Sequence, residues 1–427
     1  MTWRLGAALA LAALGAAPRR APAQNEASAQ AIARDVIPAV ERAVGLTFKR
    51  PPDIEVRSRE QLHAYLAHKL AEELPPAELS AVERTYRAFG LIPDSTDLGK
   101  LMLNLYSEQV SGYYDPDSAA LFVVRGADPL VVRLIMAHEL VHALQDEYMP
   151  LDSILELHRQ NDRQMAEQAV AEGQATLASI EALAPAADLG QVLGNWGVVR
   201  ETIRQQQASM PVFAAAPRIV KESLLFPYLA GAEFMYAFDA RRTNPDEQPY
   251  GARMPISTAQ ILHTAVYLAR RFPERIAFGR SPAGDTVVYD DDLGEFEIRI
   301  ALETWGDSEP EAIAAAAGWD GDRYELLGSR AGTALVWASA WVSDAKADGF
   351  ADTLAAAWSR RTGTEGHPGD GAVAEAGYTA GGVGRRWRVD RLAAGGVPVV
   401  RLVDAPATWA GWRPGGLPTL RLSRLTR

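Results

Sequence analysis

Cysteine is absent from all 427 residues, which excludes disulfides, thiolate catalysis, cysteine-ligated zinc and a lipidated cysteine. A metal site in such a chain has only His, Asp and Glu to draw on, and histidine itself is scarce, at seven residues. Positive charge is short as well: 43 Lys and Arg against 54 Asp and Glu leave a formal charge of −11. An acidic chain of that kind is a poor partner for nucleic acid or anionic lipid, so neither is expected. Long apolar runs are missing too. Leu5 to Ala17 falls short of the about 20 residues that a membrane-spanning helix needs.

That run instead has the layout of a secretory signal. Arg4 precedes it, and Ala21-Pro22-Ala23 follows with the small-x-small pattern that a signal peptidase reads. Residues 1–23 are therefore expected to be removed before Gln24, giving an exported protein, periplasmic or extracellular. A membrane-anchored protein is the alternative if the segment stays uncleaved. Cleavage removes three arginines and no acids, taking the formal charge from −11 to −14. No stable membrane insertion is expected afterwards.

The remaining length is enough for two or three cores. Residues 26–46 and 58–90 read as helices from apolar spacings of three and four, with a break at Pro51-Pro52. A further helix covers Asp97 to Glu108. Val110 to Val124 reads as a hairpin around Asp115-Pro116-Asp117-Ser118. Helices follow over Leu130–Tyr148, Asn161–Leu183, Gln191–Gln207 and Ser223–Arg242, then a loop over Thr243–Pro255 and a helix from Ser257, its N-cap, to Phe272.

From about Asp285 the texture shifts. Strands are expected at Asp322–Gly328 and Thr333–Val342, a helix at Ala345–Arg361, and a hairpin at Arg385–Val403 around Gly395-Gly396. Thr362 to Gly384, rich in Gly and Ala, reads as a linker or long loop. The expected fold class is α+β: a mostly helical domain with a small sheet over 24–283, followed by a smaller α+β C-terminal region over 284–427. No internal repeat is evident.

The chemistry concentrates in Met136-Ala137-His138-Glu139-Leu140-Val141-His142-Ala143-Leu144-Gln145-Asp146. Residues four apart on a helix lie one turn above each other, so His138 and His142 can place two imidazole nitrogens on one ion. Glu139, one step round, reaches a water there without ligating the metal, and suits a general base. The plain alternative is an amphipathic helix that happens to carry two histidines. Val131 to Ala137 argues against it, because so apolar a run belongs in a core, where unpaired histidines are costly.

Two histidines need a third ligand. Glu172 is the expected one, set among the small residues Ala169, Ala171, Gly173 and Ala175, which let its helix approach a neighbour closely. Glu167 and Glu181 on the same helix remain alternatives, as does His158, which lies in a charged loop. The implied cofactor is Zn2+.

HELVHALQD, AVAEGQAT and the upstream EQVSGYYDP together resemble the gluzincin class of zinc metallopeptidases, the thermolysin-like HExxH…E proteins. More closely, they are similar to exported bacterial proteins with a metallopeptidase domain, with LFPYLAGAEF, PISTAQILH and AAAGWDGDRYEL as further points of likeness. The resemblance spans about Tyr106 to Phe350. It implies a zincin-like catalytic domain, zinc held by His138, His142 and Glu172, Glu139 as general base, and a peptide or protein substrate. It also implies that Leu121–Val124 is the edge strand that pairs with substrate, and that Asp146 has an orienting or structural role near the site.

The chain departs from the pattern in three places, one of them His263-Thr264-Ala265, where the closer set tends to have His-Pro-Glu. Thr176 stands where thermolysin-like enzymes have an aspartate after the glutamate ligand. Gln174 replaces an acid frequent in the closer set. A carboxylate orienting a ligating histidine must then come from elsewhere, with Asp162 as a candidate. His263 and Tyr228 are candidate donors to a transition-state oxyanion. The expected activity is zinc-dependent peptide hydrolysis. The alternatives are a zinc-binding scaffold without activity and a zinc amidase acting on cell-wall fragments.

Overall fold

Asn25 opens the first helix: its side chain accepts the Ser28 N–H at 2.9 Å while the Ser28 hydroxyl accepts the Asn25 N–H at 3.2 Å, a reciprocal cap. This computed structural model describes residues 25–424 except 127–128, 156, 184–195, 245, 282 and 370. Residues 1–23, expected to be a secretory signal, and the first part of the helix expected from Gln191 lie outside the described residues. Helix α1 (Glu26–Val44) buries Ala29, Ala33, Val36, Val40 and Val44, the three-and-four spacing that drives an amphipathic helix onto a core.

Strand β1 (Asp53–Arg57), helices α2 (Arg59–Glu73), α3 (Pro76–Phe89) and α4 (Leu98–Gln109), and strands β2 (Gly112–Asp115) and β3 (Ala120–Val124) follow. The three strands form one sheet in the order β1-β3-β2, with β1 parallel and β2 antiparallel to β3. The expected hairpin is present. Leu121–Val124 is nevertheless the central strand, flanked on both sides, so it cannot pair with a substrate. The edge toward the next helix is β2. Every residue of β3 is buried, with Leu121 and Val123 entering one apolar cluster and Phe122 and Val124 another, the period-two alternation of a two-faced strand.

Helix α5 (Pro129–Asp146) lies against that sheet and against α1, its Val132, Met136, Leu140 and Leu144 in the same cluster as Val36 and Val40. After the short α6 (Asp152–Leu155) comes α7 (Asn161–Leu183), then α8 (Trp196–Ala208), α9 (Pro211–Ala215) and α10 (Arg218–Asp239). Helices α7 and α10 cross at Gly173 and Gly231. A Cβ built on Gly173 would lie 2.1 Å from the Gly231 carbonyl carbon, and one on Gly231 would lie 2.0 Å from the Ala169 oxygen. Only glycine at both positions permits this approach.

Ser257 caps the next helix as expected, but the segment to Phe272 is two short helices, α11 (Thr258–Leu262) and α12 (Thr264–Leu268), broken at His263 with φ −128° and ψ 96°. Strand β4 (Glu274–Phe278), β5 (Thr286–Asp291), α13 (Gly294–Thr304), α14 (Glu309–Ala316), β6 (Trp319–Ser329), β7 (Gly332–Trp341) and α15 (Asp344–Thr362) lead into β8 (His367–Gly369), β9 (Ala372–Ala380), β10 (Val383–Ala394), β11 (Val397–Pro406) and β12 (Leu420–Arg424). Seven of these strands make an antiparallel sheet ordered β5-β6-β7-β11-β10-β9-β8, and β12 pairs with β4. The stretch read as a linker, Thr362–Gly384, thus carries β8 and β9. The long register of β10 against β9 recruits residues of weak strand propensity, a tertiary effect.

The fold is α+β. Its core does not stop between the helical part and the sheet: Phe89 of α3 packs edge-on against Tyr324 and Trp337 at 5.2 and 5.8 Å. The end of β5 and the residue after it hold the start of α7. Asp291 accepts the Asn161 N–H at 3.0 Å and Asp292 the Asp162 N–H at 2.7 Å, carboxylates at a helix N-terminus where its dipole favours them. Asp322 does the same for α13, accepting the Leu293 and Gly294 N–H groups and the indole N–H of Trp319 and Trp337.

Candidate metal centre

Helix α5 is largely apolar, and four of its polar side chains, His138, Glu139, His142 and Gln145, are buried. They face α7, whose Glu172 is brought in by the glycine crossing next to it. His138 Nε2 and His142 Nε2 stand 3.2 Å apart, and Glu172 Oε2 lies 3.1 Å from the first and 3.2 Å from the second. Ligands about 2.0–2.1 Å from a tetrahedral zinc ion lie about 3.3 Å from one another. The three donors therefore sit at the spacing of one face of such a tetrahedron. Among the described residues this is the cluster whose donor atoms fit a single ion.

The alternatives for the third position fall elsewhere. Glu167 is paired with Arg163 at 2.8 Å, Glu181 is exposed near the end of α7, and His158 is exposed in the loop before it.

Electrostatics couple the three donors to one another. Burial works to lower the His142 pKa, but Glu172, with Glu139 and Gln145, outweighs it and carries it up to about 9. Burial pushes Glu172 up, and the two imidazoles more than reverse that, drawing it down to about 2. His138 is lowered, chiefly by burial. Glu139 is raised by burial to about 8, and a divalent cation beside it would restore the carboxylate. One Glu139 oxygen accepts the Tyr114 N–H of β2 at 2.9 Å. The other, Oε1, is buried with no hydrogen-bond partner. Such an atom is costly unless a bound group completes it.

The group that orients His142 is an amide. Gln145 Oε1 meets His142 Nδ1 at 2.8 Å, and Gln145 Nε2 donates to the Ala171 carbonyl and to Gln174 Oε1, both at 2.9 Å. Gln174 also accepts from the Tyr250 hydroxyl and donates to Gln248 Oε1 at 2.8 Å. Asp162 is not that orienting group: its carboxylate accepts the Thr258 N–H at 2.9 Å and the Thr258 hydroxyl. Asp146 fastens surrounding structure, accepting the Tyr114 hydroxyl and the Leu151 N–H, each at 3.0 Å. Gln145 and Tyr114 were missed by sequence reasoning. The signal for Gln145 was its place three residues beyond His142, on the same helix face.

A cleft opens over the donors between α2, the β2–β3 turn, α7 and α10. Tyr228 lines it, its ring stacked on His138 at 6.0 Å. His263 does not. The helix break at His263 turns its imidazole onto Glu295, at 2.6 Å, outside the cleft lining.

A family model described as a domain of unknown function (DUF8575) matches residues 284–409, most of the seven-stranded sheet and none of the metal-centre residues. No curated protein and no solved structure matches the chain.

Proposed function

We propose that this protein is an exported, zinc-dependent metallopeptidase that hydrolyses peptide bonds. The observation that carries the reading is Glu139: a buried carboxylate beside three donors at ligand spacing, one oxygen held by a backbone N–H and the other without a partner. Two imidazoles and one carboxylate are a donor set that catalytic zinc uses, leaving a position open. When bound, the ion supplies Lewis-acid polarisation of a carbonyl and acidification of water toward a pKa of about 7.

The chain's own residues do the rest. Glu139 takes the proton of the attacking water and passes it to the leaving amine nitrogen as the carbon–nitrogen bond breaks, with the Tyr114 N–H holding its other oxygen in place. Tyr228, on the cleft wall, is the candidate donor to the oxyanion. His263 has no part in this scheme.

The test is cleavage of an unbiased peptide library by the zinc-loaded protein, read by mass spectrometry, beside Glu139→Gln. The variant keeps the donors and loses the proton carrier. Both proteins are expected to bind one zinc, and cleavage to fall by about 10²- to 10⁴-fold in the variant. Equal cutting by both would overturn the role of Glu139. Zinc binding without cutting by either leaves the scaffold, unless a panel of cell-wall fragments is hydrolysed and the amide substrate is of that kind.

A further inference from the structure

The cleft carries more recognition chemistry than proton transfer uses. Its lining includes one lysine and no arginine, and Lys69 is paired with Asp117. Asp115 accepts the Tyr65 hydroxyl at 3.0 Å and the Ser118 hydroxyl at 2.6 Å. Asp152, the first residue of α6, is exposed to the cleft and makes no hydrogen bond or ion pair among the described residues. Burial raises its pKa, and Asp117, Asp146 and Asp115 add to the shift against the opposing Lys69, so the cleft mouth is negative.

A second observation is independent of charge. Ser223, on α10 opposite, is 3% exposed, lines the same cleft, and its hydroxyl has no hydrogen-bond partner. A buried hydroxyl in that state calls for a polar group from a ligand. The same lining includes the rings of Tyr65 and Tyr114 and the side chain of Leu151, apolar surface suited to an aliphatic stem. A side chain with a long apolar stem and a cationic end matches both parts.

We propose that the cleft selects peptides with a lysine or arginine near the scissile bond, the charge received by Asp152 and Asp115 and the peptide backbone by Ser223. This rests on the reading of the cleft as a peptide site, and names its substrate class.

Binding and cleavage are measured separately, so that the two ideas fail separately. Zinc-loaded Glu139→Gln protein is titrated with fluorescent peptides in which one lysine moves along an otherwise neutral chain, each paired with its norleucine counterpart. At one or two positions lysine is expected to bind about fivefold more tightly than norleucine, the upper range for a partly exposed ion pair. Glutamate there should bind more weakly than either. Adding Asp152→Asn, an exposed change that leaves the fold intact, is expected to bring the lysine-to-norleucine ratio close to one, and raised salt to shrink it. Equal affinities at every position, or a ratio that survives Asp152→Asn, would overturn the proposal. Lysine-selective binding with no cleavage by the unsubstituted protein sinks the hydrolysis reading and keeps this one, whereas cleavage without charge preference does the reverse. Failure to bind any peptide sinks both.

Discussion

Gln145 decides which way the His142 imidazole faces. Its oxygen accepts at Nδ1, which makes that nitrogen the N–H bearer and leaves the Nε2 lone pair for the donor cluster. The assignment is self-consistent along the chain of amides: Gln145 uses its NH₂ on Ala171 and Gln174, and Gln174 uses its own on Gln248. Gln145→Leu removes the acceptor and keeps the volume. Zinc affinity is expected to fall by about 10- to 100-fold, measured by competition with a chromophoric chelator, and an unchanged affinity would mean that packing alone orients the ring. His138, Glu139 and His142 were legible because four-residue spacing on a helix is local geometry. Glu172 was legible through its small neighbours. Gln145 was not, because the group expected to orient a ligating histidine is a carboxylate, and its partners Ala171 and Gln174 come from another helix. His263 misled for a related reason: its position in a helical pattern says nothing about a break that turns it onto Glu295.

Among the elements, the glycine crossing of α7 and α10 sets the distance at which Glu172 meets α5. Gly173→Ala would drive a methyl group into the Gly231 carbonyl. It is expected to cost about 1–3 kcal/mol, the usual range for overpacking, read as a lower urea midpoint, and to weaken zinc binding with it. A midpoint within error of the parent would mean the helices can part at no cost. Helix α1 was readable from periodicity, α5 from the prolines that bound it, Pro129 and Pro150, and the β10–β11 hairpin from Gly395-Gly396. Strand β1 was not. Its five residues owe their conformation to parallel pairing with β3, Ile54 against Leu121, a contact that no local pattern announces.

At the scale of the molecule, the acidic end of β5 and the residue after it bind the sheet to the helix that bears Glu172. Asp162, at the start of that helix, is raised by burial to about 8, with Thr258 opposing and Asp322 and Glu295 adding to the shift. Asp292 beside it is raised well above its ordinary value, by burial and then by Asp291, Asp322 and Asp162. A carboxyl whose folded pKa lies above its ordinary 3.8 binds more protons folded than unfolded. Stability therefore falls as pH rises between about 4 and about 8. Asp162→Asn keeps an oxygen for Thr258 and cannot ionise. Urea midpoints at about pH 5 and about pH 8.5 are expected to differ less in the variant than in the parent, and an equal difference would remove Asp162 from the account.

Strand β4 pairs with β12, Leu420 opposite Phe278 and Leu422 opposite Ile276, and the two are separated by about 140 residues of chain. Made at about 5–20 residues per second, that interval lasts roughly 7–28 seconds. The whole seven-stranded sheet emerges meanwhile, with Ile276 and Phe278 already present and the strand that covers them still to come. The seam between β4 and β12 is thus a matter of timing: the apolar cluster around Ile276 and Ala338 closes only after the whole seven-stranded sheet has been made.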